Sequence, residues 1–195
     1  RLIEYEHNPT PVIVLGDSRA QRLMPEFFEE VNGKKVLNLA AGAGSLQDVI
    51  KIFWDLSSRH KLDTVYIGIS IEGYSGTLLK DRVSAALEVK NSAPLYLTSK
   101  FTVENTMLIL KSKLFKQPVE VQAPPFSREE FWKYELEQED RYLKAYSYPR
   151  NYYNDLKKIS DFCVENKIKL VFFISPTHTE VQEKIAQFKL EKEYE

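Results

Sequence analysis

Ser18 has the neighbours that chemistry would need. It stands in Gly16-Asp17-Ser18-Arg19, directly after the apolar run Val12-Ile13-Val14-Leu15. A glycine lets the chain turn sharply off a strand. The serine should then open a helix with its hydroxyl at the sheet edge. The dipole and free N–H groups of a helix start favour a developing oxyanion, which makes Ser18 a candidate nucleophile. The plainer alternative is that Asp17 or Ser18 only caps the helix. The small residues Ala40 to Gly44, with Gly42 and Gly44 among them, would let a backbone or a ligand come close. They would leave N–H groups suited to an anion, or serve only tight packing of strand on helix. No Lys-Ser/Thr follows, and the G-x-G-x-x-G spacing is absent, so neither a P-loop nor a dinucleotide fingerprint is present. His178, in Ser175-Pro176-Thr177-His178, is a candidate general base or substrate contact; otherwise it is a polar residue beside a helix cap.

These residues need a sheet to position them, and the apolar pattern supplies one. Val12–Leu15 reads as a buried parallel strand. Leu23, Met24, Phe27, Phe28 and Val31 should share one side of a helix that Pro25 starts or kinks and Asn32-Gly33 ends. Lys35–Leu39 is a second strand. Ser45 and Asp48 cap a helix with Leu46, Val49, Ile50, Phe53 and Leu56 on one face. Arg59, His60 and Lys61 suit the negative end of its dipole. Thr64–Ser70 is a third strand. A long insertion, residues 72–147, follows within a single domain spanning 1–195. It should carry one helix over Lys100 to Phe115, a proline-containing loop over Lys116 to Ser127, and another helix after Ser127-x-x-Glu130. A helix from near Pro149 faces Tyr152, Leu156, Ile159 and Phe162 inward. Lys169–Ser175 is a fourth strand, and Thr179 with Gln182 caps a last helix carrying Val181, Ile185 and Phe188. Four βα units in this order imply an α/β fold with a doubly wound parallel sheet, and such sheets bind ligands at the carboxyl ends of their strands. The loops Gly16–Arg19, Ala40–Ser45, Ser70–Tyr74 and Ser175–Thr179 would lie there.

Gly16-Asp17-Ser18 after the first strand, an Asn38-to-Gly44 loop after the second and a polar turn after the third resemble the SGNH (GDSL-type) hydrolase superfamily. The resemblance covers about residues 10–75 and 165–180. It implies a three-layer flavodoxin-like fold and hydrolysis or transfer of acyl esters, with Ser18 as nucleophile. It also implies an oxyanion hole from the Ser18 N–H, from Gly42 or Gly44, and from the third block. There the family has Gly-x-Asn-Asp and this chain has Gly68-Ile69-Ser70-Ile71, so Ser70 takes the asparagine's place as a shorter donor. That departure is similar to members acting beside membrane-bound O-acyltransferases on bacterial polysaccharides. The family's Asp-x-x-His does not occur. The base is then His178 or an imidazole outside this chain, with a missing fifth strand expected after Glu195. The resemblance implies an acylated carbohydrate or cell-envelope substrate, a membrane-bound O-acyltransferase partner, and an extracytoplasmic or membrane-anchored bacterial setting. The rival expectation is a non-catalytic polysaccharide-binding or assembly protein on the same fold.

Composition bounds these readings. With 27 basic and 28 acidic residues the net charge is −1, so bulk charge gives nucleic-acid binding no support. One cysteine, Cys163, excludes an internal disulfide and a multi-cysteine zinc site, and no cofactor or metal is expected. A chain of 22.7 kDa should fold to an accessible surface of roughly 9,500 Å². No apolar run reaches the ~18 residues of a membrane span, and no signal peptide is visible. The chain opens at Arg1 rather than Met and is expected to be a fragment whose anchor lies elsewhere. His7 should be exposed. The run Glu135 to Arg141 reads as a solvated helix face. The aromatics Phe126, Phe131, Trp132, Tyr134, Tyr142, Tyr146, Tyr148, Tyr152 and Tyr153 are expected mainly to build the insertion's own core, with sugar stacking or an acyl pocket as the alternative.

Overall fold

The computed structural model describes residues 2–42, 44–71, 73–77, 81, 83–115, 127–190 and 192. In chain order the elements are α1 (Leu2–His7), β1 (Val12–Leu15), α2 (Ser18–Gln21), α3 (Pro25–Asn32), β2 (Val36–Asn38), α4 (Leu46–Ser57), β3 (Thr64–Ile69), α5 (Val83–Asn91), α6 (Ala93–Thr98), α7 (Lys100–Phe115), α8 (Arg128–Lys144), α9 (Arg150–Glu165), β4 (Lys169–Ile174) and α10 (Thr179–Gln187). They form two compact units, Arg1–Asp81 with Leu136–Glu195, and Arg82–Glu135. The second unit accounts for much of the expected insertion. Apart from Ser127, the proline-containing loop lies outside the described residues.

The first unit is α/β. Its sheet has the order β2-β1-β3-β4, and every pairing is parallel. Val12 sits opposite Val36 on one side and Thr64 on the other, and Thr64 opposite Lys169, so the strands begin level, and β3 and β4 run two residues past the end of β1. Alternate residues of a strand face opposite sides. Val12, Val14, Val36 and Tyr66 form one buried cluster, to which Phe28, Val171 and Phe173 add partly buried rings and methyls. Ile13, Leu15, Val65 and Ile67 point the other way and are completely buried. Helix α4 buries Val49, Phe53 and Leu56 and meets α9 through the rings of Phe53, Trp54 and Phe162. Each such side chain contributes roughly 1.5–3 kcal/mol on burial.

Local chemistry sets the element ends. Ser45 and Asp48 form the expected reciprocal capping box on α4, and Ser127 and Glu130 form another on α8. Pro25 opens α3, and Gly33 closes it in the left-handed region at φ 63°. Several expectations need correction. Helix α3 buries nothing fully: Phe28 is half-buried, while Met24, Phe27 and Val31 are exposed. The cap of α10 is His178, not Thr179, and Gln182 donates to the Thr177 carbonyl instead. His60 lies beyond the end of α4, half-buried, with its ring edge-on to Tyr5 of α1. The run from Glu135 is not simply solvated, since Glu139 and Asp140 are partly buried in ion pairs with Arg19 and Lys184. Phe131, Tyr134, Tyr142, Tyr148 and Tyr153 are exposed, and only Tyr152 is fully buried, so these aromatics do not make a core. Phe126 lies outside the described residues. His7 is exposed at the end of α1.

Candidate functional site

The end of β1 carries the candidate nucleophile. Gly16 takes φ 148°, which a residue with a side chain rarely adopts, and a Cβ there would fall 2.7 Å from the Ala20 Cβ. Asp17 is the N-cap of α2: its buried carboxylate accepts from the Arg19 N–H at 2.9 Å and the Ala20 N–H at 3.2 Å. Capping therefore falls to Asp17, which leaves Ser18 as the first helical residue, exposed at the carboxyl end of the strand. Among the described residues Ser18 has no hydrogen-bond partner for its hydroxyl or its N–H.

The second and third loops stack on this turn. The Leu39 N–H donates to the Val14 carbonyl at 2.8 Å, and the Ala41 N–H to the Gly16 carbonyl at 3.1 Å. Asn38 is buried, and its amide donates to the Ala20 and Leu23 carbonyls, tying the end of β2 to α2. A Cβ on Gly44 would lie 2.8 Å from the Gly16 oxygen and 3.5 Å from the Asp17 Cα. One expected donor is already engaged: the Gly44 N–H bonds to the Ala41 carbonyl at 3.0 Å. Gly42 is exposed, with Gln21 as its neighbour, and Ala43 lies outside the described residues. Ser70 is buried to 1% exposure, and its Oγ accepts from the Gly73 N–H at 3.2 Å, which tightens the third turn. Gly73 in turn accepts from the Leu46 N–H. Tyr74 is buried and donates to the Gly68 carbonyl at 2.6 Å; burial, reinforced by the Asp17 carboxylate, holds its hydroxyl far above the ordinary phenol range.

The fourth loop reaches the same edge by a different contact. Strands β1 and β4 are separated by β3, a distance of about 9–10 Å for two strand spacings. The long side chain of Arg19 crosses it. Its guanidinium donates to Thr177 Oγ1 at 3.5 Å and to Glu139 Oε1 at 3.2 Å. His178, the neighbour of Thr177, is largely exposed, and its Nδ1 accepts from the Glu180 N–H at 3.3 Å. The same Nδ1 lies 3.4 Å from Glu180 Oε2.

Ser18, the Gly44 turn and the Ser70 turn are thus brought together, and Arg19 links them to the loop that holds His178. No imidazole is paired with Ser18. Among the described residues no group of three or more His, Cys, Asp or Glu side chains is arranged to hold a metal ion. Glu139 enters from a run whose composition resembles an exposed helix face. Only the partial burial of its neighbours along α8 distinguishes it, and no spacing rule exposes that. No known family model, no curated protein and no solved structure matches the chain.

Proposed function

We propose that the chain is an SGNH-like, serine-dependent esterase or O-acyltransferase acting on acyl esters of a carbohydrate or cell-envelope substrate. The observation that carries this reading is the geometry of Ser18, exposed at the first helical position after β1 while Asp17 does the capping. Its Oγ would attack the acyl carbonyl, giving its proton to the base, and its own N–H would meet the oxyanion; the ester C–O bond then breaks, the alcohol leaves with that proton, and the acyl group on the serine passes to water or to a sugar hydroxyl. Gly42 or Gly44 would supply a second donor, the Gly44 N–H by leaving the Ala41 carbonyl that it now meets, and Ser70 would stand in the third block as a shorter donor. The base is an imidazole: His178 once it leaves the α10 cap, or one outside this chain. A membrane-bound O-acyltransferase would supply acyl groups at the cell envelope.

One observation favours a second reading. His178 caps α10 through Nδ1, and among the described residues no base is paired with Ser18, as a non-catalytic polysaccharide-binding or assembly protein on the same fold would have it. A serine-reactive fluorophosphonate, applied with a generic ester as substrate, separates the two. The esterase reading expects labelling at Ser18 and loss of turnover by several orders of magnitude in Ser18→Ala. Labelling absent from the chain, with turnover equal in Ser18→Ala, would overturn it and leave the binding protein.

A further inference from the structure

Arg19 follows Ser18 and is the second residue of α2, a helix of four residues. A cation gains nothing from the start of a helix, where the dipole is positive, so the reason for an arginine here lies elsewhere in the fold. Gly68, in strand β3 between β1 and β4, points to it. A Cβ on Gly68 would fall 2.8 Å from the Ala20 Cβ and 2.9 Å from the Ser175 Oγ. The bare Cα therefore lets α2, which follows β1, and the loop that follows β4 close over β3. Arg19 fastens the two. Thr177 Oγ1 donates to the Ser175 carbonyl at 3.1 Å, which leaves its lone pairs to accept from Arg19 Nη1 at 3.5 Å. The Nη2 of the same guanidinium donates to Glu139 Oε1 at 3.2 Å. The loop is tied to α10 as well, since Gln182 donates to the Thr177 carbonyl at 2.9 Å, and α10 is tied to α8 by Lys184 and Asp140 at 2.6 Å. For a partly buried ion pair the loss of water offsets much of the attraction. Arg19 and Glu139 together thus set position more than they add stability.

We infer that Arg19 is a positioning residue for Ser18: acting through Thr177, it fixes the loop 175–178 beside the nucleophile and keeps His178 at the edge where the acyl ester binds. The inference rests on the esterase or acyltransferase reading, and the experiment separates the two. The full chain is treated with a fluorophosphonate, and turnover of p-nitrophenyl acetate is measured. Labelling of Ser18 in the unaltered chain supports the reading. Thr177→Val then removes the acceptor and keeps the shape. Because a displacement of ~1 Å can cost about a hundredfold in rate, it should lower kcat at least about tenfold while KM moves by less than about threefold. Arg19→Lys should do the same, since an ammonium lacks the planar fork that holds two acceptors at once. Thr177→Ser keeps the hydroxyl and should turn over like the unaltered chain. Circular dichroism shows whether each variant is folded, and Arg19→Lys with Thr177→Ser decides the matter should Thr177→Val fail to fold. An unchanged kcat in the folded variants, a loss confined to KM, or an equal loss in Thr177→Ser would overturn the inference while Ser18 is still labelled. No labelling of Ser18 in the unaltered chain would overturn the reading and the inference together.

Discussion

Asp17 and Ser18 divide the work at the end of β1, and substitution should separate their roles. Asp17 accepts two backbone N–H groups at the start of α2. Asp17→Ala should therefore cost about 0.5–2 kcal/mol. Ser18 makes no such bond among the described residues, so Ser18→Ala should change stability by no more than ~0.5 kcal/mol. Gly44→Ala is the third member of the set. Its methyl group would meet the Gly16 carbonyl at 2.8 Å and the Ala41 carbonyl at 3.1 Å, both backbone atoms that cannot rotate away. Overpacking of this kind costs about 1–3 kcal/mol and would push the glycine loop off the Ser18 turn. Urea midpoints measured on the three variants should rank Ser18→Ala as the mildest. A cost for Ser18→Ala as large as that of Asp17→Ala would mean that the serine, too, serves the helix cap.

At the scale of elements, legibility followed burial. The runs VIVL and TVYIGI are covered on both faces of a parallel sheet, so continuous apolar sequence reports them directly. KLVFFI has the same composition but is an edge strand, with Phe172 and Ile174 exposed, because composition does not say which strands lie on a strand's two sides. The capping boxes at Ser45 and Ser127 were legible because they are local. The cap on α10 was not, since His178 accepts only through a ring nitrogen whose direction depends on the loop before it. For the candidate site, the position of Ser18 could be read from its strand and glycine. The engagement of the Gly44 N–H and the reach of Arg19 to Glu139 could not, because both depend on where distant segments fold. That last contact carries a prediction. Arg19 and Glu139 are 21% and 13% exposed, and either one alone would leave a partly buried charge. Arg19→Ala and Glu139→Ala should each cost about 1–3 kcal/mol, and the double variant clearly less than their sum. Additive costs in that cycle would show that the pair is not coupled.

For the whole molecule, acids raised by burial, Tyr5, Tyr74, Tyr152 and Cys163, make alkaline pH the sensitive direction. Tyr5 donates to the Thr10 carbonyl at 3.0 Å, and burial pushes its hydroxyl up to about 12, with Arg59 opposing and Glu6 adding to the rise. Burial pushes the Cys163 thiol up to about 11. Tyr74 is raised further still, by burial and then by Asp17. In each case the fold favours the neutral, protonated form, so the unfolded chain gives up its protons first. The stability these groups contribute is complete below their ordinary values and is lost as pH rises through the raised ones. The urea midpoint should therefore stay level up to about pH 9 and fall between there and about pH 12. Lysines also lose charge in that range, but they do so in every variant. Cys163→Ala and Tyr5→Phe should each flatten part of the fall. Tyr5→Phe should begin about 1 kcal/mol lower at neutral pH, for want of its bond to Thr10. The Cys163 thiol should resist a thiol reagent in the folded chain at neutral pH and react once urea unfolds it. A profile equally steep in the double variant would leave Cys163 and Tyr5 without a part in the alkaline loss.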